Sequence, residues 1–169
     1  VTRLKPKVEA KGQHQGNRYS LSYRPELESF DSENDRVRHT LNAQAETRLN
    51  RRNRIKGRVN ASRDQAAPNE TNRAVGETEG NINERGSFSA TYTLGAEDAA
   101  GELTVDVGQT WNRFANNRGV EGSNKQSEEY NSTRLGVGFA WRISPRTRLL
   151  AETDYETYDY TWSESTLYN

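Results

Sequence analysis

The sequence has no cysteine, no methionine, few apolar residues and no excess charge of either sign. Without cysteine there is no disulfide framework, no thiol nucleophile and no thiolate metal site. Methionine is missing even at position 1 and no leader-like segment is present, so the chain reads as a mature segment or a fragment. No run of about 18 apolar residues occurs, and no transmembrane helix is expected. The 24 basic and 24 acidic residues balance, which argues against a nucleic-acid partner. Hydrophobic residues make up 31% of the chain, against about 45–50% in an ordinary soluble domain. Mean hydropathy is -1.12. The 169 residues suffice for one domain, but they would struggle to fill a conventional core. Disorder is one response to such a composition. Disordered chains are usually poor in aromatics, however, and this one has 8 Tyr, 4 Phe and 3 Trp in strand-like runs.

What is present is period-two alternation, the mark of strands with two unlike faces. Leu4, Pro6, Val8 and Ala10 alternate with Lys5, Lys7, Glu9 and Lys11. The same pattern holds from Tyr19 to Leu27, from Val37 to Leu49 and from Arg54 to Ala61. It returns from Ser87 to Leu94, Glu102 to Trp111 and Arg134 to Ile143. A last segment starts near Arg148 and reaches about Trp162, so about eight strands are expected. Each has roughly the 9–11 residues, or slightly more, that a tilted strand needs to cross a bilayer.

The connections alternate too. Short turns fall at "QGN", "NRRN", "AEDAAG" and "SPRT". Between them come "DSEND" and two long polar stretches, expected as loops over residues 64–85 and 114–130. Short turns at one end and long loops at the other is the plan of an outer-membrane barrel. The long loops read first as solvated surface. In such a barrel the apolar side of each strand faces lipid and the polar side faces water, so half of every strand can be charged. Closure satisfies the backbone where lipid cannot. The expected fold is therefore all-β: an antiparallel transmembrane barrel in one domain over 1–169, or part of a larger barrel. With the short turns periplasmic, Trp111 and Trp162 fall near the outer ends of strands and Trp141 near a periplasmic end. Tyr158, Tyr160, Phe114 and Phe88 join the outer group. Trp111, Trp141, Tyr158, Tyr160 and Trp162 are expected as interface aromatics, where amphipathic rings prefer to lie. The competing reading has these aromatics filling a sandwich core.

Two stretches resemble the β-barrel porins encoded with exopolysaccharide and capsule assembly systems. One is "NRYSLSYRPELESFDSENDRVRHTLNAQAETRLNRRNRIKGRVNASRD"; the other is "RLGVGFAWRISPRTRLLAETDYETYDY". Together they cover about half the chain. Neither contains a catalytic signature, and members of that family have more strands than are counted here. The resemblance implies passage of secreted polysaccharide across the bacterial outer membrane. It also implies outer-membrane lipid around the chain, an anionic polysaccharide inside it and periplasmic export machinery as partners.

Little here suggests catalysis. His14 and His39 are the only histidines, and neither has a Ser or Cys nearby in a recognisable catalytic order. "DSENDRVRHTLN" starts like a calcium loop, but Arg36 stands where glycine is needed and Asn42 where glutamate is needed. It reads as an outer turn. Glu152, Asp154 and Glu156 share one strand face and could form a cation site or an acid/base pair. Pairing with cross-strand Arg134 and Arg142 is the more ordinary reading. "NAS", "NET" and "NST" fit the glycosylation pattern, which in a bacterial outer-membrane protein is coincidence. No cofactor or metal is expected.

The expected pore-lining set is Arg38, Arg48, Arg54, Lys56, Arg58, Glu102, Asp106, Arg134, Arg142, Glu152, Asp154 and Glu156. In a small barrel such charges interlock and plug the interior. In a wide one they line water and set up a field across it. Strand number decides between these, because width grows with it. The expected function is a non-enzymatic pore for exopolysaccharide. The alternatives are a plugged barrel acting as anchor or adhesin through its outer loops, and an outer-membrane enzyme with carboxylates at the rim.

Overall fold

The computed structural model describes residues 2–29, 36–65, 80–96, 99–116 and 125–161. It contains β1 (Thr2–Leu4), β2 (Val8–His14), β3 (Asn17–Ser29), β4 (Arg36–Arg48) and β5 (Asn53–Gln65). It continues with β6 (Ile82–Leu94), β7 (Gly101–Phe114), β8 (Tyr130–Ser144) and β9 (Thr147–Tyr160). A single 3-10 turn, Lys125–Glu128, precedes β8. No helix of the described residues is long and apolar enough to cross a membrane, which says nothing of crossing by strands. All nine strands form one antiparallel sheet, and from β3 onward each pairs with the next in sequence. Among the described residues the sheet is not closed: β9 is one edge, and β1 with β2 is the other.

The first expected strand is divided. β1 pairs with Leu27–Ser29 and β2 with Asn17–Tyr23, in one continuous register on β3. That register sets Pro6 opposite Pro25. Neither proline has an N–H to give to a ladder, so pairing lapses there and resumes at Val8. The nine strands thus occupy the eight positions expected across the sheet.

Most strands are longer than expected: β3, β5 and β6 have 13 residues, β7 has 14 and β8 has 15, while β4 and β9, at 13 and 14, have about the expected length. β5 continues to Gln65 and β6 begins at Ile82, so both ends of the expected 64–85 loop are strand. Alternation simply persists through Ser62, Arg63 and Asp64, and polar composition hid it. The expected 114–130 loop likewise loses Phe114 to β7 and Tyr130 to β8. The cores of both loops, with "NET", lie outside the described residues.

Turn chemistry fixes the short-connection end. Gln15 and Gly16 have φ of 49° and 84°, the positive pair that matches a two-residue hairpin to strand twist. At the β4–β5 turn, Asn50 Oδ1 accepts from the Arg52 N–H at 2.8 Å and the Asn53 amide at 2.9 Å. Pro145 forbids a positive φ in the β8–β9 turn, and the ladder there shifts between Arg142 and Ser144.

The sheet has one layer, and its faces are inverted relative to a water-soluble domain. On β8, Leu135, Val137, Phe139 and Trp141 project to one side and are 49%, 41%, 45% and 51% exposed. Register aligns them with Leu103, Val105, Val107, Phe88, Val59 and Leu41 on the other strands. Apart from Glu129, which precedes β8, the most enclosed side chains of the strands belong to the opposite, charged side: Thr93, Asn112 and Ser132 are at most 7% exposed. Phe114 and Ala140 are the only buried apolar residues among those described, and both stand on that charged side.

Candidate functional site

The charged side carries the candidate site. Because side chains alternate, antiparallel register decides which residues share a row. One row reads Glu46, Lys56, Thr91, Asp106, Gly136 and Asp154 from β4 to β9. The next toward the short turns reads Arg48, Arg54, Thr93, Thr104, Gly138 and Glu152. The next in the other direction reads Gln44, Arg58, Ser89, Gly108, Arg134 and Glu156. Every residue of the expected pore-lining set lies on this face. Charge runs from basic on β4 and β5 to acidic on β9, with small side chains between.

Ion pairs tie part of the set together. Glu102 accepts from Arg54 Nη2 at 2.7 Å and lies 3.6 Å from Arg148. This links β5, β7 and β9 across Thr93 and Ala140, both nearly covered. Arg134 Nε stands 3.9 Å from both Asp106 and Asp154. A methyl group on Gly136 would collide with the Asp106 carboxylate, so glycine makes room for that acid beside Arg134. Arg142 does not join the acidic row as expected. Its register partner is Arg148, and among the described residues it forms no ion pair. Lys56, Arg58, Glu152 and Glu156 also form none within 4.0 Å among those residues.

A second group lies at the long-connection end. Arg36 and Arg38 converge on Asp64, with Nη2 atoms 3.1 and 2.6 Å from Oδ2. A cleft of about 530 Å³ opens there, bounded also by Arg85, Phe114 and Lys125. Sequence reasoning placed Asp64 and Arg85 in a loop and missed the group. The available signal was parity: Asp64 is in phase with Arg58, and Arg85 with Ser87. The half of the calcium-like segment from Arg36 to Asn42 is strand β4; residues 31–35 lie outside the described residues.

The aromatics divide between the faces. Trp111 and Trp141 are on the apolar side, toward the long-connection and short-turn ends respectively. The Trp111 ring lies against Gly86, where any side chain would strike it. Phe88 is on the apolar side but mid-strand, opposite Val59 and Gln109. Tyr158 and Tyr160 are on the charged side in phase with Glu156, and they cluster with Tyr130 at 5.7 and 6.0 Å between ring centres. The structure therefore does not bring them together with Trp111. Phe114 is on the charged side as well, with Lys125 Nζ 6.0 Å from its ring centre. Trp162 lies outside the described residues. His14 ends β2, and His39 Nδ1 is 2.7 Å from the Tyr23 hydroxyl, the two rings stacked on the apolar side. Among the described residues no group of three or more His, Asp or Glu could hold a metal ion. Compared with protein-family models, curated proteins and solved structures, the chain matches none.

Proposed function

We propose that the chain is a wall of an outer-membrane β-barrel through which a polysaccharide passes. The observation that carries this reading is the two-faced single-layer sheet, with large apolar residues exposed along one face and the charged residues of the strands gathered on the other. An apolar face spanning nine strands needs a cover. Lipid supplies one without a second protein layer, and it accounts for the lone sheet. Short turns at one end and long connections at the other agree with that setting. So does the resemblance of the β3–β5 and β8–β9 stretches to exopolysaccharide-linked porins. Lipid tolerates no open strand edge, so in the membrane β9 and β1–β2 each meet a further strand, as in a wider barrel. Lys56 and Arg58, without ion pairs among the described residues, then face the water with charge to spare for an acidic polymer.

A second reading is a plugged barrel serving as an anchor or adhesin. The Arg54–Glu102–Arg148 linkage favours it, because interlocked side chains can fill a narrow interior. Planar-bilayer recording separates the two. The pore reading expects stable conductance steps from the inserted protein. Stable insertion without conductance would overturn it in favour of the plugged barrel.

A further inference from the structure

We propose that the cleft at the long-connection end binds a carboxylated saccharide. The inference rests on the charged face being open to water, as the pore reading has it. Four cations bound the cleft, namely Arg36, Arg38, Arg85 and Lys125, and one acid, Asp64. Asp64 neutralises half of the arginine pair that holds it. Arg85 Nε donates to a neutral amide, Asn112 Oδ1, at 3.0 Å, and no carboxylate among the described residues pairs with it. Lys125 is matched by Glu128 at 2.8 Å, outside the cleft lining. Glu26 and Glu28, the register partners of Arg38 and Arg36 on β3, are matched by Arg3 and Lys5. Among the described residues the cleft therefore keeps an excess of positive charge in a partly enclosed place, where charge acts more strongly than in open water.

The type of cation points to the type of anion. Guanidinium groups present planar forks that fit carboxylates two bonds at a time. Asp64 shows the fit directly, since Arg36 reaches it through both Nε and Nη2. The remaining wall carries Thr40, Ser62 and Asn83, whose hydroxyl and amide groups suit sugar hydroxyls. Another cleft of the charged face, near β7 to β9, has four acids (Glu102, Asp106, Glu152, Asp154) and two bases (Arg134, Arg148). It would repel the same ligand.

The test is calorimetric titration of the full chain in detergent micelles. The probe is a galacturonate trimer, with maltotriose and inorganic phosphate as comparisons. The trimer should bind about tenfold or more tighter than either. Arg85→Gln should weaken it about tenfold, since one charged fork is lost. Asp64→Asn should tighten it severalfold, because the resident carboxylate no longer competes for Arg36 and Arg38. Arg63→Gln, at the same end but on the apolar side, should leave it unchanged. Equal affinity for maltotriose would overturn the proposal, as would phosphate matching the trimer. So would undiminished binding by folded Arg85→Gln, or weaker binding by Asp64→Asn. Asp64→Asn and the ligand comparisons stand even if Arg85→Gln does not fold. Binding without conductance would remove the pore reading and leave the site; conductance without binding would remove the site alone.

Discussion

At the scale of single residues, close neighbours within the sheet should behave as opposites. Val137 is mid-strand on the apolar side, while Thr104 on the adjacent strand faces the charged side. Val137→Arg should cost roughly 2–4 kcal/mol of folding stability in a bilayer if the site is near the midplane. Thr104→Arg should cost much less. Urea unfolding in liposomes measures both, and equal costs would contradict a lipid-facing Val137. Gly86 offers a packing test, since its bare backbone makes room for the Trp111 ring. Gly86→Val should displace the indole and destabilise by about 1–3 kcal/mol, with a shift in tryptophan emission. Lys56→Glu with Arg58→Glu should leave folding intact, because neither residue forms an ion pair among those described. Selectivity should shift toward cations and export of an acidic polymer should fall. Reversal potentials across a planar bilayer would show the first effect.

At the scale of elements, alternation was enough to find the eight strand positions, their antiparallel order and the face of every residue in the expected pore-lining set. Parity fixes orientation whatever the side chain is. Parity sets Tyr158 and Tyr160 with Glu156, where the structure has them, but their aromatic character led to the expectation of the membrane interface with Trp111 instead. Strand ends were less legible. Asp64 and Arg85 sit in polar, asparagine-rich surroundings where composition favours a loop, and only cross-strand pairing keeps them extended. The cleft group was missed for that reason. The break between β1 and β2 was also hidden, because it takes register to bring Pro6 opposite Pro25. Turn chemistry makes its own prediction. Gln15 holds a left-handed φ of 49° with a side chain poorly suited to it. Gln15→Asn creates the favoured Asn-Gly hairpin turn and should stabilise by up to about 1 kcal/mol, read as a higher urea midpoint.

At the scale of the whole molecule, a sheet with its apolar residues outward is an arrangement that water disfavours and a bilayer stabilises. Among the described residues both edges carry unpaired backbone groups, and a bilayer would leave these unsatisfied unless a strand meets them. Membrane location and strand pairing at the edges are thus parts of one account, and they stand or fall on which medium each face meets. The sequence has no cysteine, so single cysteines can report that medium without interference. The most direct measurement places one at each position from Arg134 to Phe139 in protein inserted into lipid vesicles. A water-soluble thiol reagent is then applied to both sides of the bilayer. Positions 134, 136 and 138 should react, while 135, 137 and 139 should stay protected until detergent is added. Uniform labelling at all of these positions, or protection in the opposite phase, would contradict the claim that the apolar face of this sheet meets lipid.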